Sequence, residues 1–146
     1  MTKKIKGVKK MTQPIKGIFV NLPVKDLERS RDFFTQLDFN FDPLFTDETG
    51  SCMIIGENIY VMLLIEDYFK GFTHQAIADT SSQNEVIVTL LATTKAQVIE
   101  LCEKAAAAGA EDQPVENTEK FMYYRRFKDL DGHLWEIMCF NMKEMK

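Results

Sequence analysis

The chain lays out one pattern of elements and then lays it out again. Over residues 17–24, Ile18, Val20 and Leu22 alternate with Phe19 and Asn21, the period of two that marks a strand. Asp26 follows as the N-cap of a helix reaching Leu37. Its stripe of Leu27, Ser30, Phe34 and Leu37, widened by Phe33, recurs at helical spacing. Short strands are predicted at 39–45, 51–55 and 59–65, separated by turn signals at Asp47-Glu48-Thr49-Gly50 and Gly56-Glu57-Asn58. A polar connection covers 66–82, and then the pattern restarts. Strand 85–91 sets Val86, Val88 and Leu90 against Glu85, Ile87 and Thr89. Thr94 and Gln97 have capping-box spacing at the head of a helix that runs to about Ala108, with Gly109 as its C-cap. An irregular strand at 111–115 and a hairpin of 121–128 with 133–140 complete the repeat. The order of elements is βαβββ twice over, an α+β chain.

This divides the sequence into a basic leader at 1–14, a first module at 15–66, a linker at 67–83, a second module at 84–141 and a tail at 142–146. The leader carries Lys3, Lys4, Lys6, Lys9 and Lys10 without an acid, and reads as a mobile terminus. Met11 is an alternative start to Met1. Within the linker, 67–78 has a weak pattern for a short helix, and His74 is expected at the surface.

Composition removes whole classes of function. A net charge of −4 and a pI of about 5.2 argue against general nucleic-acid binding, which needs a basic footprint. No apolar run reaches the roughly 18 residues that cross a bilayer. The three cysteines, Cys52, Cys102 and Cys139, are scattered; they read as small buried hydrophobes of a reducing cytoplasm. With only two histidines, His74 and His133, a site built from several imidazoles is nearly excluded. No Ser-His-Asp or Cys-His constellation and no Gly-rich phosphate loop can be assembled.

The sharpest local signal is Asp129-Leu130-Asp131-Gly132-His133-Leu134-Trp135-Glu136-Ile137-Met138. Asp129 to Gly132 carries turn chemistry, and the strand after it is apolar except for Glu136. That acid shares a face with Leu134 and Met138, where a carboxylate is costly unless a partner offsets it. Glu136 is either a salt-bridged structural acid or part of a site.

D-L-D-G-H-L-W-E resembles the D-P-D-G-x-x-x-E signature of the vicinal oxygen chelate superfamily, which includes glyoxalase I, bleomycin- and fosfomycin-resistance proteins and extradiol dioxygenases. The opening F-V-N-L-P-V-K-D-L-E-R-S-R-D-F-F, with P-L-F-T-D-E, N-I-Y-V-M-L-L and F-K-D-L-D-G-H-L-W-E, is similar to a bacterial subgroup labelled lactoylglutathione lyase-like. The resemblance covers about 15–141. It implies two βαβββ modules forming a cup-shaped mixed sheet with helices outside, a homodimer, and a pocket at each cup. Related sequences usually close the first helix with Gly, where this chain has Asp38, which takes up left-handed geometry less readily.

The metal positions implied by the resemblance fall on Phe19, Leu63 (give or take one residue), Glu85 and Glu136. Two of these are apolar, and a catalytic divalent site normally uses three or more protein ligands. No histidine falls on a ligand position, as extradiol chemistry requires. Setting Asp129 opposite Gly132 in the hairpin makes Arg125 face Glu136, Tyr123 face Met138 and Phe127 face Leu134, with Arg126 beside Trp135 on the other face. An Arg125–Glu136 pair would then satisfy the acid without metal. A one-residue slip substitutes Tyr124 or Arg126. The inner face expected from this register is Phe19, Asn21, Leu63, Glu85, Ile87, Thr89, Tyr123, Arg125, Phe127, Glu136 and Met138, an apolar wall with a few polar groups.

Three functions follow from these residues. The favoured one is a cytoplasmic homodimer that binds a small molecule without cofactor or metal, and with no nucleic-acid or membrane partner. The alternative is a lactoylglutathione lyase-like enzyme, with a divalent ion (Ni, Zn, Co, Mn or Fe) on Glu85 and Glu136, or with Glu136 as a catalytic base. The third is an interaction protein whose aromatics simply fill the cup.

Overall fold

The computed structural model describes residues 12–144. The lysine-rich run before Thr12, and with it the choice between Met1 and Met11, lies outside the described residues.

The first module comprises β1 (Ile18–Val24), α1 (Leu27–Gln36), β2 (Asn40–Asp42), β3 (Gly50–Gly56) and β4 (Ile59–Ile65). After α2 (Glu66–Thr73) come β5 (Ile87–Leu91), α3 (Lys95–Ala107), β6 (Glu111–Gln113), β7 (Met122–Lys128) and β8 (Leu134–Phe140). The caps are those the sequence announces. Asp26 accepts the Arg29 N–H at 3.0 Å, and Thr94 accepts the Gln97 N–H at 3.1 Å. The Gln97 side chain returns to the Thr93 N–H, one residue before the cap itself.

Two differences from the sequence reading have local causes. The strand predicted at 39–45 stops at Asp42, because Pro43 has no N–H for a ladder and opens a 3-10 turn, Pro43–Phe45, that the Asp42 side chain caps. The strand predicted at 85–91 enters its ladder only at Ile87, because β8, its partner, begins at Leu134. The short helix that the sequence allows at 67–78 is present as α2, which ends on His74 in the left-handed region (φ 57°).

Each module forms its own four-stranded mixed sheet, ordered β1-β4-β3-β2 and β5-β8-β7-β6. The first strand of each runs parallel to the last, with the helix as crossover, and the remaining pairs are antiparallel. No ladder joins the two sheets among the described residues, so the cup-shaped sheet is two open sheets rather than a closed one.

A shared core joins them. Leu22, Val24, Val61, Leu63 and Met53 face α1 from the first sheet, and Phe127, Trp135, Ile137 and Cys139 face α3 from the second. Phe33 and Phe34 of α1 bridge the two. Phe34 lies 5.1 Å from Trp135 between ring centroids, Phe33 lies 6.3 Å from Phe127, and Phe127 stacks on Trp135. Each such side chain contributes roughly 2 kcal/mol by leaving water. Asp38 adopts the left-handed conformation (φ 69°) that ends α1, and its carboxylate is paired with Lys104 of α3, so a residue poorly suited to the turn ties the two helices together.

The loop between β7 and β8 is the main polar joint between modules. Asp131 accepts the Lys25 N–H (2.9 Å), the Ser30 hydroxyl (2.9 Å) and an Arg29 guanidinium nitrogen (3.3 Å), all at the β1–α1 junction. His133, 1% exposed, places Nε2 at 2.6 Å from the Pro23 carbonyl. Gly132 (φ 82°) abuts Thr80, whose hydroxyl donates to the Asp131 carbonyl; an added Cβ would lie 2.8 Å from that hydroxyl oxygen. All three cysteines are buried thiols, and burial pushes Cys102 up to about 11.

Candidate functional site

Glu136 sits mid-strand on the face of the second sheet turned away from α3, and is 8% exposed. Its Oε2 accepts Arg126 Nε at 2.8 Å and its Oε1 accepts the Thr89 hydroxyl at 3.0 Å. Thr89 is its neighbour on β5 and Arg126 its neighbour on β7, so three adjacent strands assemble the group. Each oxygen of the buried acid thus has a donor, one of them charge-assisted. The Arg126 guanidinium also lies 5.3 Å from the centre of the Tyr124 ring. Ile87, opposite Leu134, and Leu91, opposite Met138, flank this cluster on β5 and are 48% and 69% exposed.

The hairpin register therefore differs by one residue from the expected one. Arg126 faces Glu136, Arg125 faces Ile137, Tyr123 faces Cys139 and Phe127 faces Trp135. Asp129 is the cause. Its N–H donates to the His133 carbonyl and its Oδ1 accepts the N–H groups of Asp131 and His133, so the strands close on Asp129 and His133, with the Gly132 N–H on the Asp129 carbonyl inside the loop. A one-residue slip flips a strand. Tyr123, Arg125 and Phe127 accordingly lie on the α3 side. Phe127 is core, Tyr123 carries the Lys95 ammonium on its ring, and Arg125 pairs with Glu103 and Asp112.

The other predicted site residues separate into three places. Leu63 is fully buried opposite Leu22 and Ser51, so it belongs to the core; Met62, opposite Asn21, takes the outward place on β4. Phe19 stacks on Tyr60 and meets Phe45 edge-on, in the wall of a cavity of about 480 Å³ that also includes Met62, Leu64 and Tyr68. Asn21 and Glu85 come together in a smaller cavity of about 350 Å³ between β1 and the approach to β5. Ile87, Glu136 and Met138 stay on one face. Arg126 and Tyr124 are the residues that the sequence reading assigned elsewhere. The D-x-D-G run was the available signal, since an Asp bonding two and four residues ahead lengthens the loop.

A divalent metal does not fit the residues at the implied positions. Phe19 and Leu63 offer no ligand atoms, and neither does Met62 beyond a thioether. Glu85 is turned to His133 Nδ1 (3.4 Å), and Glu136 is taken by Arg126 and Thr89. Among the described residues no group of three or more His, Cys, Asp or Glu side chains is placed to hold an ion.

His133 lies between two acceptors, the Pro23 carbonyl and Glu85, with the Asp129 carboxylate near. Burial pulls its pKa down, but the Asp129 charge, the Pro23 carbonyl and Glu85 together raise it above the ordinary 6.5. The folded chain thus holds this proton more tightly than the unfolded chain. The stability His133 adds is fully present below pH 6.5 and is lost as the pH climbs through the folded-state pKa. Urea midpoints should fall between pH 6 and pH 8, and His133→Gln should flatten that slope; an unchanged slope in the variant would assign it elsewhere.

With the geometry in place, comparison with known proteins fixes the class. The Glyoxalase/Bleomycin resistance protein/Dioxygenase superfamily matches residues 18–137, and the chain belongs to that family. Among solved structures it is similar to a hypothetical protein, SA1046, from S. aureus, at 27% identity and a TM-score of 0.73, covering 91% of this chain and 99% of that one. A glyoxalase/bleomycin resistance protein/dioxygenase family enzyme from Burkholderia phytofirmans PsJN gives 14% identity and a TM-score of 0.71 over 84% and 96% of the two chains. The fosfomycin resistance protein FosX from Mesorhizobium loti gives 17% and 0.63 over 90% and 98%. No curated protein matches. No helix among the described residues is long and apolar enough to cross a membrane.

Proposed function

We propose that this member of the family binds a small molecule without a metal, and that the ligand is a small aromatic or otherwise apolar anion. One observation carries the reading: the carboxylate at the family's last metal position is occupied by a guanidinium and a hydroxyl. An Arg126–Glu136 pair replaces metal charge with a fixed cation. Arg126 uses Nε for Glu136, which leaves its terminal nitrogens to bind a carboxylate or phosphate beside Ile87, Leu91 and Tyr124. Pockets with apolar walls and a few polar groups suit such ligands. The open apolar faces, with Phe19, Phe45, Ile87 and Leu91 exposed, support a homodimer in which two copies cover them. Three buried free thiols support a cytoplasmic setting.

Metal content per protomer and ligand-induced stabilisation test this together. Protein purified without a His tag and offered Ni, Co, Zn, Mn and Fe should retain far less than one ion per chain, with no change in Glu136→Gln. A screen of small aromatic carboxylates should find one that stabilises the protein by about 2–3 kcal/mol at a hundredfold excess over its Kd, an effect that Arg126→Ala abolishes. Near-stoichiometric metal that disappears in Glu136→Ala would overturn the proposal and favour a lactoylglutathione lyase-like enzyme.

A further inference from the structure

The connection between the modules lines a third cavity, an open cleft of about 650 Å³, away from Glu136. Its walls come from the end of β1, from α2 and the 74–80 segment, and from the Asp131–His133 joint. Lys25, Lys70 and His74 line it as exposed side chains; among the described residues none of the three makes a side-chain hydrogen bond or close ion pair, and Lys25 faces the Asp79 carboxylate through its charge alone.

The acids in the same wall are not equivalent to these cations. Asp131 is consumed by the Lys25 N–H, Arg29 and Ser30. Asp79 is folded back on the N–H and hydroxyl of Ser81, and its charge also acts on Lys25. Glu66, in the first turn of α2, is the acid whose acceptors are left uncommitted. The cavity thus offers three cationic or proton-donating groups and one free carboxylate. It is large enough for a molecule of metabolite size.

His74 is the left-handed C-cap of α2. Histidine, like asparagine and aspartate, enters the left-handed region more readily than other non-glycine residues, and His74 does so here. Here the turn is closed by the His74 N–H on the Lys70 carbonyl, which needs no particular side chain. The imidazole is therefore not needed for the turn, and it lines the cavity beside Lys25 and Lys70.

We propose that this inter-module cavity is a second binding site, for a small organic anion with a carboxylate or phosphate and a hydroxyl or amino group. Lys25, Lys70 and His74 take the anionic end, and Glu66 accepts a hydrogen bond from the hydroxyl or amino group. The site does not depend on the proposal for Arg126 and Glu136.

Amide chemical shifts, followed while the full chain is titrated separately with inorganic phosphate, glycerol 3-phosphate and glycerate, test this. At least one probe should give saturable shifts confined to residues 25, 66, 70 and 74–80. The double variant Lys25→Ala/Lys70→Ala, with an unchanged urea midpoint, should weaken that binding by about tenfold or more. His74→Asn, compatible with the same turn, should weaken it by a smaller factor, and Arg126→Ala should leave it intact. A response to the phosphates alone or to glycerate alone assigns the anionic group. No saturable response to any probe, shifts spread over all surface lysines, or undiminished binding in the double variant would each overturn the site.

Discussion

Asp129→Ala is expected to destabilise the fold by about 3–5 kcal/mol, although Asp129 lines none of the cavities described above. The side chain is 7% exposed, and its carboxylate is the acceptor for three donors: the Asp131 and His133 N–H groups on Oδ1 and Trp135 Nε1 on Oδ2, at 2.9–3.0 Å. Burial raises its pKa against the combined pull of His133, the indole and the two backbone donors. Alanine would leave those donors without their partner and release the loop that sets the β7–β8 register. Asparagine is the sharper test. Its single carbonyl can serve either the two backbone donors or the indole, and its NH₂ must then meet a donor on the other side. Asp129→Asn is therefore expected to cost about 2 kcal/mol or more despite its matching shape. Urea midpoints with an unchanged m-value would establish the loss. If Asp129→Asn unfolds at the wild-type urea concentration, the carboxylate is not what holds this loop. Through the register, ligand binding at Arg126 should weaken as well.

The same residue explains what the sequence made legible and what it did not. Strand and helix positions follow from local chemistry. The alternation through Ile18–Val24, the Asp26 and Thr94 caps and the Gly109 exit each act within a few residues, and each is found in the structure. The duplicated βαβββ order was readable for the same reason, and so was membership of the superfamily. Register is a different kind of information. Whether Arg125 or Arg126 meets Glu136 depends on whether the strands close with Asp129 opposite Gly132 or opposite His133, a choice between near-equivalent turns that the presence of Gly132 does not decide. That choice moved Tyr123, Arg125 and Phe127 to the core side and brought Arg126 and Tyr124 to Glu136. The one-residue ambiguity at Leu63 has the same origin, with Met62 standing on the outer face. The inter-module joint was the hardest to see. Asp131 meets Lys25, Arg29 and Ser30 across about a hundred residues of sequence, and no local pattern announces such a contact.

Trp135→Ala should have an effect at least as large, about 3–5 kcal/mol from lost burial and the cavity left behind. Trp135 is completely buried between the two modules, with Phe34 at 5.1 Å on one side and Phe127 stacked on the other. Neither sheet has a core of its own that could close over the gap, because α1 reaches both sheets through the rings that Trp135 touches. A domain of this size has about 5–15 kcal/mol in total, so the alanine variant sits at the edge of folding. Trp135→Phe keeps most of the ring area but loses the indole N–H, leaving Asp129 Oδ2 without its donor; it should cost about 1–3 kcal/mol and remain folded. The two sites are one unit: in a cycle with Asp129→Asn, the double variant should lose less than the sum of the single losses, because the same hydrogen bond is removed in both. Additive losses would mean that the indole N–H and the carboxylate act separately, and that the hydrophobic seam alone holds the modules together. Sub-additive losses would place the polar joint and the aromatic seam in one cooperative structure, in which the register that presents Arg126 to Glu136 depends on a tryptophan on the opposite face of the strand.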